Sequence, residues 1–273
     1  MWEWIAAHQE RSSLGHGAAQ GDLCEGIQGV NEMDAESRAE VFEFFASVFS
    51  REPTPELADS LLSGNLQRAI RFVEREVPSP AILGTFAALA AWIAYLRSKN
   101  SDAERVCEML RNQYSRLLSI PGADYVAPYE SVYLDKAWVE STGIPDTPFV
   151  AQTVEVKGLL WGESTSAVLH SYREAGIQPH TANCCDPPDH LGLELEFMAY
   201  LCRQESLAIE KGADAQVWVE RQRRFLCEHL TRWLPEFASR LGDKSPQSFY
   251  AAATTAIVEF TSNQNNCLPA GAR

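Results

Sequence analysis

The sequence of 273 residues has no apolar run long enough to cross a bilayer. Its longest, Ala81 to Leu96, is alanine-rich and interrupted by Gly84 and Thr85, whereas a spanning helix needs about 20 consecutive apolar residues. The opening Met1-Trp2-Glu3-Trp4 carries neither a basic leader nor an apolar core, so no export signal is expected and the chain is expected to stay in the cytoplasm. Positive charge is scarce: 23 Lys and Arg against 37 Asp and Glu leave a net charge of -14. That balance repels nucleic acid and anionic membrane surfaces, and attracts a cationic partner. The seven cysteines are odd in number and scattered, a usage that fits reduced, mostly buried thiols better than a disulfide framework.

The common catalytic signatures are missing as well. The nearest approach to a phosphate loop is Gly242-Asp243-Lys244-Ser245, with Phe237 where the first glycine should stand, which reads as a turn between helices. No Gly-x-Ser-x-Gly elbow, dinucleotide fingerprint or His-Glu-x-x-His helix is found. No cofactor is expected. No segment shows the strict alternation of a strand pair and no fixed-period repeat appears, so the expected class is all-α.

What is present is helical periodicity in a chain that is 45% hydrophobic. Residues 1–32 read as a flexible extension, 33–265 as a single helical-bundle domain and 266–273 as a tail. Asp34 is placed to cap a helix carrying Val41, Phe42, Phe45, Val48 and Phe49 and ending before Pro53. Thr54-Pro55 opens a second helix that stops at Gly64. Asn65 opens a third, and an apolar fourth ending near Lys99 is expected at the centre of the core. Ser101 to Glu104 reads as a capping box before an amphipathic helix whose inner face includes Val106, Leu110, Tyr114, Leu117 and Leu118.

Between Ser119 and Thr153 the periodicity fails and prolines accumulate, which predicts a long ordered loop or hinge, and with it either a monomer or a domain-swapped dimer. Helices resume over Glu163–Ala175, Asp189–Lys211 and Val217–Leu241, where Pro235 should kink or restart the run, and a last helix opens at Ser245-Pro246.

Two constellations carry chemistry. His180, Cys184, Cys185, Asp186 and His190 are metal-capable, but adjacent cysteines converge poorly on one tetrahedral ion, so no metal is assigned. A helical metal-dependent enzyme is the reading this cluster keeps open. Asp189, after Pro187-Pro188, is placed to face the unpaired amides at the start of a helix, as an ordinary helix N-terminus would.

Taken in order, four blocks resemble the TorD/DmsD/NarJ-type family of redox-enzyme maturation chaperones. They are Tyr114-x-x-Leu117-Leu118; Ala127-Pro128-Tyr129-Glu130-Ser131-Val132-Tyr133-Leu134-Asp135; Gly162-Glu163-Ser164-Thr165 leading to Tyr172-Arg173-Glu174-Ala175-Gly176; and Pro187-Pro188-Asp189-His190-Leu191-Gly192-Leu193-Glu194-Leu195-Glu196-Phe197-Met198. The resemblance runs from about Asp34 to Ser262, and Leu118 replaces a more usual aromatic. It implies an all-helical cytoplasmic chaperone, not an enzyme. Such a chaperone binds the twin-arginine signal peptide and the apo-form of a molybdopterin oxidoreductase catalytic subunit, or, in a NarJ-like variant, an enzyme that is not exported.

It implies a peptide-binding set of Tyr114, Leu117, Leu118, Tyr129, Ser131, Pro188, Asp189, His190 and Glu194. Two guanidinium groups beside an apolar stretch call for carboxylates next to a greasy groove. Tyr114 and Asp189 are therefore expected on facing walls of one cleft.

Overall fold

The computed structural model describes residues 33–64, 66, 70, 84–99, 102–141, 152–157, 160–177 and 187–267, with backbone alone for 137–141, 152–157, 266 and 267. The first helix, α1 (Ala35–Ser50), starts where Asp34 accepts a hydrogen bond from the Ser37 amide at 2.8 Å. In α2 (Pro55–Ser63), Thr54 caps the start and Gly64, at φ 72°, ends it in the left-handed region. The helix expected from Asn65 lies largely outside the described residues, as does Ser101. Asp102 is the cap of α4 (Ala103–Tyr114), and its carboxylate accepts from the Arg105 amide at 2.8 Å.

The apolar α3 (Ala87–Ser98) is not the centre of the core. Only Leu89, Ile93 and Leu96 are buried, along one face, because its alanines lose little by facing water. The central place belongs to α7 (Leu191–Glu210), which lies along α1 and buries Leu195, Met198, Leu201 and Cys202. Gly192 permits that approach. A Cβ there would sit 2.0 Å from Ser50 Oγ and 3.0 Å from the Ser50 Cα.

After α4 the backbone widens into a π turn (Ser115–Ser119), and a short α5 (Ser131–Leu134) follows. The region expected to be a loop then forms an antiparallel pair, β1 (Lys136–Ser141) with β2 (Gln152–Lys157), in which Val139 faces Val154. Each strand is only six residues long and stands beside prolines that break any longer pattern, so no strand pair stands out in the sequence. The class is nonetheless all-α, with this hairpin as its exception.

Next come α6 (Glu163–Glu174) and, after α7, α8 (Gln216–Phe225), a second π turn (Leu226–Leu230) and α9 (Thr231–Lys244). Pro235 sits inside α9, and the irregularity is the π turn one turn upstream, where Thr231 Oγ1 donates to the Leu226 carbonyl at 2.8 Å. The last helix, α10 (Phe249–Cys267), begins three residues later than expected, with Ser248 Oγ accepting from the Ala251 amide at 3.1 Å.

Aromatic rings join α1, α9 and α10: Phe42 meets Phe260 at 5.1 Å, and Phe49 meets both Phe237 and Tyr250. Each fully buried ring of this kind is worth about 1.5–3 kcal/mol of transfer free energy. Among the described residues, no helix is long and apolar enough to cross a membrane.

Candidate functional site

Two distant segments meet beside the start of α7. Tyr129 and His190 pair as an isolated antiparallel bridge, in which the Glu130 amide donates to the Asp189 carbonyl at 3.0 Å and the Leu191 amide to the Pro128 carbonyl at 2.9 Å. His190 is the cap of α7, accepting from the Gly192 amide on Nδ1 at 3.1 Å. A neutral ring accepting there carries its proton on Nε2. Asp189 therefore does not cap its own helix, as its position suggested. Its Oδ2 accepts from the Ser131 amide at 2.9 Å and so serves the first turn of α5, 58 residues earlier in the chain.

Behind this joint lies a buried polar network. Asp189 and Glu194 are 0% exposed, Glu130 1% and His229 3%. His229 Nδ1 lies 3.0 and 3.1 Å from the two Glu130 oxygens, and its Nε2 lies 3.5 Å from Ser171 Oγ. Trp233 Nε1 donates to Glu194 Oε2 at 3.1 Å, and the Tyr172 hydroxyl to the Pro188 carbonyl at 2.9 Å. Burial first, then the neighbouring Glu130 carboxyl, push Glu194 well above the ordinary carboxylate range. Burial likewise raises the Tyr172 phenol, with Glu194 and Asp189 adding to it. Glu194 Oε1 is buried with no hydrogen-bond partner, while Oε2 accepts from Trp233.

Seven of the nine residues expected in the site are buried: Leu117, Leu118, Ser131, Pro188, Asp189, His190 and Glu194. Tyr114 and Tyr129 are half-buried, the first packed on Tyr250 at 5.9 Å and the second edge-on to His190 at 5.1 Å. Among the described residues, packed rings lie between Tyr114 and the start of α7. Rings in succession, Tyr250, Phe49, Phe237 and Trp233, connect Tyr114 to Glu194.

Two surface cavities lie elsewhere. One, of about 820 Å³, is bounded by α4 and the turn after it, with Met109, Gln113 and Ile120. The other, of about 650 Å³, lies between α1 and α7, with Glu43, Arg51, Glu196 and Arg203. Neither is lined by any of the nine.

His180, Cys184, Cys185 and Asp186 lie outside the described residues. Among the described residues, no three His, Cys, Asp or Glu side chains gather as metal ligands. Sequence reasoning passed over Glu130, His229 and Trp233. The one local signal was His229 itself, a polar residue four positions after Phe225 and four before Trp233 on an otherwise apolar face.

Residues 81–239, more than half of the chain, match the family described as "Nitrate reductase delta subunit". The chain belongs to this TorD/NarJ-type family. Over 72 residues it is 47% identical to the selenate reductase assembly chaperone protein of Thauera selenatis, a stretch covering 26% of this chain and 36% of that one. It is 52% identical over 54 residues to the chlorate reductase assembly chaperone protein of Ideonella dechloratans, covering 20% and 28%. These two matches therefore span only about a third of each relative's length. The chaperone protein TorD of Shewanella amazonensis is 30% identical over 213 residues, covering 77% of this chain and 82% of that one. Family membership bears out the resemblance carried by the four sequence blocks, three of which meet at the joint.

Proposed function

We propose that this chain is a cytoplasmic assembly chaperone that holds the apo-form of one molybdopterin oxidoreductase catalytic subunit and binds its twin-arginine signal peptide during cofactor insertion. The observation that carries this reading is family membership shared with relatives named as chaperones of selenate and chlorate reductases. The net charge of -14 suits a partner presenting two arginines.

The nine site residues divide by burial. Tyr114 and Tyr129 keep surface open to a peptide, whereas Pro188, Asp189, His190 and Glu194 shape the joint and meet a ligand only when it opens. Exposed ion pairs contribute about 0.2–1 kcal/mol each. Covering several hundred Å² of apolar peptide contributes several kcal/mol before ordering costs, at about 25 cal/mol per Å². Apolar contact thus sets affinity, and charge sets recognition and encounter rate.

Calorimetric titration with twin-arginine peptides encoded beside the gene tests the proposal, and saturable binding is expected. No binding to any of them, together with no molybdoenzyme co-purifying from the native host, would overturn it. A second reading is favoured by the delta-subunit description of the matching family: a NarJ-like chaperone for an enzyme that is not exported. Replacing both peptide arginines by glutamine separates the two, since only the first reading requires the pair.

A further inference from the structure

We propose that Trp161, with Glu163 beside it, is a subsite for an arginine side chain, whose guanidinium stacks on the exposed indole and pairs with the carboxylate. The arginine is supplied by the twin-arginine segment of the partner enzyme, so the identity of the partner rests on the function proposed above. The subsite itself is a property of this chain.

Trp161 is 62% exposed and, at φ 66°, is the one residue other than glycine held in the left-handed region among the described residues. A buried ring could offset such a backbone by its packing. This ring faces water, and among the described residues no other ring or cation lies against it. Glycine would make the same turn without the penalty. A backbone outlier that adds nothing to the core points to a use for its side chain.

The turn is fixed from behind. Asp135, at the end of α5, accepts from the Ser164 amide at 3.1 and 3.2 Å and from the Ser164 hydroxyl at 2.6 Å. A side chain at Gly162 would run into the same carboxylate. Gly162 therefore lies close against Asp135, and the chain turns one residue earlier, at Trp161. An indole presented on an anchored backbone loses less freedom on binding than one on a loose loop.

The surrounding charges favour a cation. Glu163 opens α6, is exposed, and takes part in no hydrogen bond or ion pair among the described residues. The Asp135 carboxylate already meets an amide at the positive end of α6, so that end repels a cation little. Lys136, the nearest cation along the chain, has a partner of its own. An electron-rich indole face beside an unpaired carboxylate, on a chain of net charge -14, selects a flat cation. Guanidinium is the side-chain group that both stacks and donates hydrogen bonds in a fork.

The subsite is also continuous with the joint. At the opposite end of α5, the Ser131 amide donates to Asp189, just after the half-buried Tyr129. The four residues of α5 rise by about 6 Å, a span that an extended peptide covers in about two residues.

Trp161→Asn removes the ring and leaves a residue that tolerates the left-handed region. Its melting temperature should not fall, so a change in binding is not a folding defect. By calorimetry, its affinity for the twin-arginine signal peptide should be about three- to thirty-fold weaker than that of wild type, the range of a cation–π contact. Glu163→Gln should weaken binding by up to about fivefold. With both peptide arginines replaced by glutamine, the variants and wild type should bind alike. Equal affinity of wild type and Trp161→Asn for the arginine peptide overturns the proposal.

An acetylated, amidated Arg-Arg dipeptide tests the subsite without the signal peptide. In wild type it should move the indole N–H resonance that Trp161→Asn lacks, and a Gln-Gln dipeptide should not. No movement, or the same movement with Gln-Gln, overturns the subsite whatever the signal peptide does. Movement without signal-peptide binding leaves the subsite and sinks the function, whereas signal-peptide binding without movement does the reverse.

Discussion

The aromatic seam joining α1, α9 and α10 and the polar joint at the start of α7 sit side by side, yet they are built on opposite physics. In the seam, Phe42, Phe49, Phe237 and Phe260 exclude water, and nothing in their contacts changes with protonation. In the joint, Glu130, Asp189, Glu194 and His229 are as deeply buried, but each buried charge costs free energy unless it is paired or neutralised. The seam should thus supply stability and the joint should supply a contact whose strength depends on conditions. Trp233 belongs to both, since its ring stacks on Tyr133 at 5.3 Å while its N–H serves Glu194.

Four substitutions would break or sharpen that contrast. Phe42→Ala should have the largest effect, about 3–5 kcal/mol by chemical denaturation, and the cost should be the same at about pH 5.5 and about pH 8. A pH-dependent cost would mean that the seam is coupled to the buried acids. Gly192→Ala follows at about 3 kcal/mol, because its methyl group would press on Ser50 backbone and side chain alike and force α1 from α7.

Asp189→Ala should cost about 2 kcal/mol by leaving the Ser131 amide buried without an acceptor. Its cost should shrink as pH rises, since removing one negative neighbour of Glu194 brings that carboxyl back toward its ordinary range. Denaturation midpoints across a pH series would show whether the shrinkage occurs. The smallest effect has the opposite sign. Trp161 is 62% exposed and held at φ 66°, so Trp161→Gly should raise the melting free energy by about 1 kcal/mol by relieving a left-handed backbone.

Much of the fold was legible because helix boundaries are set locally. Asp34, Thr54 and Gly64 act through bonds or dihedrals within three residues of themselves, so reading them needed no knowledge of the rest of the chain. The hairpin was not legible, because six-residue strands carry too few alternations to stand out beside prolines. The order of the four blocks points to the family, whereas the partner of the Asp189 carboxylate lies 58 residues away in the chain, where no local pattern reveals it. That carboxylate, beside one helix start, accepts from the first turn of a different helix and is buried.

By itself the sequence determined the helical class, most caps and stops, the acidic balance and the family, since each is written in short-range periodicity or in composition. Only the tertiary structure decided that Glu130, Glu194, His229 and Trp233 share one buried network. Those residues are separated by up to 103 positions in the chain, and whether an acid faces water, a guanidinium or another acid depends on the packing of helices that no local pattern encodes.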